Sequence, residues 1–183
     1  MKGKKFLTRI IFAILFASMA SYAGSVNIAV TQKLKKTPEN TTEKGKNSTT
    51  RIRILKQEVT LTISVSNYAE SGSFELEWYF IHRVLTTKGK KGGPEVFDKG
   101  KETITVENKK KIKKTVVSKE IERKTSKSNK QTNRRNGSGS NKKYKGSVYA
   151  GYIVLVKKDG KLVAKKASDS KFLKDDWMEK LTQ

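Results

Sequence analysis

The chain has 183 residues, with 41 Lys plus Arg against 17 Asp plus Glu, one histidine and no cysteine. Its net charge of +24 favours anionic partners and says nothing about fold. The absence of cysteine excludes disulfides, thiol nucleophiles and thiolate metal sites, and a single histidine cannot furnish a multi-histidine centre.

Residues 1–23 have the three parts of a secretory signal peptide. Lys2, Lys4, Lys5 and Arg9 precede the apolar run Ile10–Ala20, and small Ser21 and Ala23 precede a cut at Gly24. The run is too short for a spanning helix, which needs about 20 apolar residues; the competing reading is a short anchor that is never cut. The exported chain, 24–183, would keep a charge of +20, and 48 of its 160 residues are apolar. That suffices for one core if the apolar residues cluster, so a single domain is expected, periplasmic or extracellular, with no membrane span after cleavage.

In chain order, SVNIAV and EVTLTISVSN alternate apolar and polar with period two, the mark of a strand with one wet face. Val59, Leu61, Ile63 and Val65 share one phase, whereas Ile52 and Ile54 fall on the other. A bulge or break is therefore expected near 55–57. Residues 35–50 read as a polar loop. FELEWYFIHRVL alternates over its length, which favours a strand over the competing helix. Phe74, Leu76, Trp78, Phe80 and Val84 would face the core, and Glu75, Glu77, Tyr79, Ile81 and Arg83 the solvent. GKKGGP at 89–94 reads as a loop, and EVFDKG and ETITVEN as short strands joined by a turn at 98–100. The segment 110–123 reads as strand or helix, with a strand at about 115–122 preferred for its TVV content. Residues 125–147 hold one large apolar side chain, Tyr144, and no acid, which reads as a disordered loop.

YIVLVKKDGKLVAKK closes the strand series. Ile153–Val156 is apolar on both faces, as in a central strand covered twice. Asp159-Gly160 between β runs predicts a type I′ hairpin. A terminal helix is expected at about 169–181, with Leu173, Trp177 and Leu181 as an apolar stripe docked on the sheet.

About seven short strands without a βαβ rhythm predict an all-β, antiparallel sandwich with a short C-terminal helix. The layout of residues 50–170 resembles an immunoglobulin-like or fibronectin type III-like module. Trp78 lies on an early middle strand, and Tyr149 or Tyr152 is placed to serve as the corner tyrosine. FELEWYFI, VFDKG, SKE and YIVLVKKDGKLVAKKAS also resemble small exported β-sandwich proteins of environmental Gram-negative bacteria. The resemblance implies architecture and compartment, with no catalytic motif to transfer and no cysteine pair.

For chemistry, the residues offer little. His82, on the core face near a strand end, reads as a satisfied, partly buried histidine. Glu75 and Glu77 lie about 6.8 Å apart on one strand face, a separation seen in glycosidase carboxylate pairs. A solvated pair facing cross-strand lysines is the expected reading. The glycine clusters read as turns rather than phosphate loops, and no metal or cofactor site is expected. The basic segments carry the sharpest functional expectation: between 99 and 146 there are 17 basic and 4 acidic residues. Lys109, Lys110, Lys111, Lys113, Lys114, Arg134, Arg135, Lys142 and Lys143 are the candidate polyanion-binding residues. Aromatics interleave poorly and no recognition helix appears, so specific nucleic-acid binding is not expected. The chain reads as a non-enzymatic binding module whose partner is an envelope protein or an anionic surface polymer. The alternative is a carbohydrate-binding or carbohydrate-active protein using Tyr79, Tyr149 and Tyr152. Oligomeric state is not legible in these residues.

Overall fold

The computed structural model describes residues 26–45, 48–69, 71–130 and 140–182. The expected signal peptide lies outside them. Eight antiparallel strands, one more than expected, are followed by a short terminal helix: β1 Val26–Gly45, β2 Ser48–Asn67, β3 Gly72–Leu85, β4 Lys91–Val106, β5 Lys111–Val117, β6 Ile121–Lys130, β7 Ser140–Lys158 and β8 Lys161–Ala167. A 3-10 turn, Ser170–Leu173, capped by Asp169, precedes helix α1, Asp175–Thr182.

The strands form two sheets that share β7. In the first, β2 pairs with β1 on one edge and with β5 and β6 on the other, and β6 pairs with the first part of β7. In the second the order is β4-β3-β7-β8. The strand that leaves the edge of the first sheet thus feeds the centre of the second.

Two cores result. The inner one lies between the sheets and joins Val59, Leu61, Ile63 and Val65 of β2 to Phe74, Leu76 and Phe80 of β3 and to Tyr152, Val154 and Val156 of β7. The other lies on the far face of the second sheet, where Tyr79, Ile81, Ile153, Leu155 and Phe172 are covered by Leu173, Trp177, Met178 and Leu181. The terminal stripe thus docks as expected, and Ile153–Val156 is buried on both faces. Asp159 (φ 51) and Gly160 (φ 74) have the paired positive φ of a type I′ turn.

Several expectations are corrected. The far face of β3 is not solvated, because α1 covers Tyr79 and Ile81. Residues 98–100 are not a turn: β4 is continuous, and a bulge between Val96 and Asp98 sets Phe97 against Phe80 and His82. At 89–94 the loop is shorter than expected, with β4 beginning at Lys91. The preferred strand at 115–122 becomes two strands, β5 and β6, end to end along β2, with Ser118–Glu120 opposite Glu58–Val59 as a bulge. There Ser118 holds Val59, its N–H donating to the Val59 carbonyl at 2.9 Å and its Oγ accepting from the Val59 N–H at 3.0 Å.

The largest correction concerns the polar segments. β1 and β2 remain paired in unbroken register from Val26↔Asn67 to Gly45↔Ser48, so no break occurs at 55–57 and most of 35–50 is strand. The expected loop at 125–147 is strand over 125–130 and 140–147, with β6 and β7 paired from Arg123↔Gly146 to Asn129↔Ser140. Backbone pairing satisfies these segments although they bury little. Composition alone reads them as loops because they lack apolar side chains, not because their amides lack partners.

Candidate polyanion-binding arm

Beyond the sandwich, four strands continue as an arm: 35–45 of β1, 48–57 of β2, 121–130 of β6 and 140–146 of β7. Residues directly opposite share a face, and faces alternate along each strand. The register therefore assigns every arm side chain to one of two faces.

One face extends the side of β2 that carries Val59, Leu61, Ile63 and Val65 in the sandwich. On the arm it carries Lys36, Lys44, Arg51, Arg53, Arg123, Lys127 and Lys142, and no acid. A single cross-strand row reads Thr42, Arg51, Lys127, Lys142, and the next reads Asn40, Arg53, Thr125, Tyr144. Arg51, Arg53, Lys127 and Lys142 are exposed. Among the described residues none of these four enters an ion pair. At the foot of this face Arg123 is half-buried, and its buried Nε–H has no partner among the described residues.

The opposite face mixes acids with lysines, and there Lys124 stands opposite Lys145. Lys35 stands opposite Glu58, Lys56 opposite Glu122, and the Lys56 ammonium reaches Glu39 at 2.8 Å. The hydrogen bond that Lys56 donates to Glu39, aided by the carboxylate charge, raises the Lys56 pKa. Ile52 is buried and Ile54 half-buried on this face, where lysine stems can cover them.

A glycine at the foot of the arm lets two strands meet. Gly146 has φ 95, and a Cβ there would stand 2.0 Å from the Glu122 carbonyl oxygen. The β3–β4 hairpin tip closes the free edge of β7, with the Tyr144 N–H donating to the Thr87 carbonyl at 3.0 Å and the Tyr144 ring lying over Gly89. A cleft of about 450 Å³ beside it is lined by Leu85, Thr87, Lys124, Ser126, Lys143, Tyr144 and Lys145.

The expected basic residues do not form one site. Lys109, at φ 58, and Lys110, paired with Glu107 at 2.5 Å, lie in the β4–β5 turn. Lys111 and Lys113 are exposed on β5, and Lys114 pairs with Glu102. Lys113 stands opposite Ser64 of β2, whereas Lys127 stands opposite Arg51. These positions are about 43 Å apart along the strand. Lys142 and Lys143 are on the arm but on opposite faces. Arg134 and Arg135 lie outside the described residues. Sequence reasoning missed Arg51, Arg53 and Lys127. The RIRI alternation at 51–54 was the available signal, since period two places both arginines on one face.

The other candidate groups resolve as follows. Glu75 faces Lys101 at 3.7 Å. Glu77 is buried, contrary to expectation; it accepts from the Tyr79 hydroxyl at 2.8 Å and from the Lys157 ammonium at 2.6 Å. Burial pushes the Glu77 pKa up, but those two donors pull it further down, so it is lowered overall. Burial and the Glu77 carboxylate both raise Tyr79. The buried His82 Nδ1 has no hydrogen-bond partner among the described residues, and Nε2 stands 4.0 Å from Glu95. Burial lowers its pKa, opposed by the Glu95 charge. Tyr79 and Tyr152 are buried, and the half-buried Tyr149 donates from its hydroxyl to the Gln32 side chain at 3.1 Å, so these three do not form an exposed sugar platform. Nor does Tyr149 or Tyr152 make the corner-tyrosine hydrogen bond from its hydroxyl to nearby backbone among the bonds described. Among the described residues no helix is long and apolar enough to cross a membrane.

No family model matches the chain, and no curated protein matches it. Two solved structures are distantly similar. One is a Northeast Structural Genomics Consortium target, SoR45, at 14% identity over 70% of this chain and 88% of that one, with a TM-score of 0.27. The other is a crystal structure from Akkermansia muciniphila, at 9% identity over 85% and 78%, with a TM-score of 0.25. At these TM-scores neither bears on function.

Proposed function

We propose that the protein is exported and works as a non-enzymatic binding module, with the sandwich as a rigid mount and the basic arm as the contact surface for an anionic partner in the envelope or outside the cell. The observation that supports this reading is the separation of charge on the arm, where seven Lys and Arg side chains share a face with no acid. Such a face attracts polyanions by releasing their counterions. The alternative of sugar binding through Tyr79, Tyr149 and Tyr152 loses its exposed aromatics.

The test is retention of the secreted chain on an immobilised polyanion over a salt gradient. Elution well above physiological salt, and N-terminal sequencing that starts at Gly24, are the expected results. Elution at the salt required by any weakly basic protein would remove the binding reading. An intact N-terminus on cytoplasmic protein would remove export.

A further inference from the structure

We propose that the arm face bearing Arg51, Arg53, Lys127 and Lys142 is the binding site for a linear anionic polysaccharide, an inference that rests on the binding-module reading and names its site and ligand class. Like charges directly opposite across a sheet are destabilising, by up to about 1 kcal/mol per pair. On one face of the arm acids temper the cations, with Lys35 opposite Glu58 and Lys56 opposite Glu122, and the like-charge contact there is the single pair Lys124 opposite Lys145. On the other face the same strands place Arg51, Lys127 and Lys142 side by side in one row. Composition cannot account for this, because both faces are built from the same four segments. Anions lying over the row would relieve that repulsion.

Geometry narrows the ligand. Arg51, Lys127 and Lys142 stand about 4.8 Å apart across the strands, and Arg53 lies about 6.8 Å along β2 from Arg51, a spacing suited to charges along a polymer. The two arginines offer planar forks that match carboxylate, sulfate or phosphate groups. Asn40, Thr42 and Thr125, interspersed on the same face, supply neutral donors and acceptors for hydroxyls between the charged groups. A nucleic acid fits less well. Four strands span about 14 Å between outer backbones, too wide to enter a major groove of about 12 Å. Single-strand binding relies on stacking platforms, and the aromatic on this face, Tyr144, is packed over Gly89. A membrane also fits less well, since no exposed large apolar side chain stands on this face to enter the lipid.

The experiment compares two variants of the full exported chain with equal loss of charge. One removes the bare face (R51Q/R53Q/K127Q/K142Q) and the other removes four lysines from the opposite face (K56Q/K124Q/K143Q/K145Q). Affinity is measured against heparin, polygalacturonate and a phosphodiester-linked polysaccharide from 50 to 300 mM salt, with duplex DNA, single-stranded DNA and anionic vesicles as comparisons. Circular dichroism and thermal unfolding verify that each variant is folded. The first variant is expected to lose about 30-fold or more in affinity near 150 mM salt and to lower the log–log salt slope by about 3, taking the release of about 0.7–0.9 counterion per contact. The second is expected to change affinity by less than about 3-fold, because all four lysines face away from the row and Lys56 is already paired with Glu39. If the variants lose equally, net charge alone governs binding, and the site assignment falls while the module reading stands. Tighter binding to either nucleic acid or to vesicles than to every polysaccharide overturns the ligand class. Failure of the wild-type chain to bind any anionic probe overturns both. Should the first variant fail to fold, the charge-keeping R51K/R53K variant decides: loss of more than about 5-fold supports planar recognition, and no loss overturns the arginine role.

Discussion

The sandwich body and the arm are made from the same strands yet differ in what their faces meet. In the body, β2 and β7 carry apolar residues against the opposing sheet, and β3 and β7 are covered a second time by α1. In the arm, β1, β2, β6 and β7 keep their hydrogen-bonded register for a further ten or so residues while one face leaves Arg51, Arg53, Lys127 and Lys142 exposed. Pairing alone therefore extends a sheet past its core, but it does not give the extension much stability, because most of the favourable free energy of folding comes from burial.

The largest effect is expected at the inner core. Phe80 is fully buried there, and Phe80→Ala is expected to cost about 3–5 kcal/mol in urea unfolding. A loss under 1 kcal/mol would show that the sheets do not close on it. Next is Glu77→Gln, expected to cost about 2 kcal/mol by weakening the acceptor for Lys157 and Tyr79. The wild-type pair also has a pH signature. The Glu77 pKa is lowered on folding, so its contribution is present above the unfolded carboxylate range and is lost as pH falls through the folded value. Stability should therefore decline below about pH 4.3 in the wild type and decline less in Glu77→Gln. His82 adds a decline of the same sign at higher pH. Its pKa is lowered by burial, so stability is complete above the unfolded value of about 6.5 and falls as pH drops through the folded one; His82→Gln should flatten that limb of the pH–stability curve.

Smaller effects sharpen the contrast. Gly160→Ala should cost about 1 kcal/mol, because φ 74 suits glycine far better than alanine. Trimming the arm by replacing 38–54 and 124–145 with short turns should move the body's unfolding midpoint less than Phe80→Ala does. Hydrogen exchange in the intact chain should show arm amides opening at lower free energy than those of 59–65 and 152–156. Arm amides as protected as the body would mean that the arm is part of the cooperative unit.

Much of the body was legible in residues alone. Alternation in β2 and β3 identified the inner core, the run at 153–156 announced two-sided burial, and Asp159-Gly160 specified its turn. The stripe Leu173, Trp177, Leu181 announced the covering helix, although not that it would bury the far face of β3 together with Glu77. The arm was not legible, for a physical reason. A strand that buries little has no hydrophobic period to betray it, and its amides find partners through residues distant in sequence, such as Arg51 with Lys127. The candidate site followed the same division. The basic segments were visible as composition, but Lys109–Lys114 and Lys142 diverged once β2 was seen to carry them at opposite ends.

The sequence by itself determined the all-β class, the terminal helix, the two-sided central strand and the excess of positive charge, because each is written in local period, turn chemistry or composition. Tertiary structure alone decided which cations stand together. Register between strands far apart in the chain places Arg51, Lys127 and Lys142 in one row and leaves the acids on the opposite face, and a shift of one residue in that pairing would exchange the two faces.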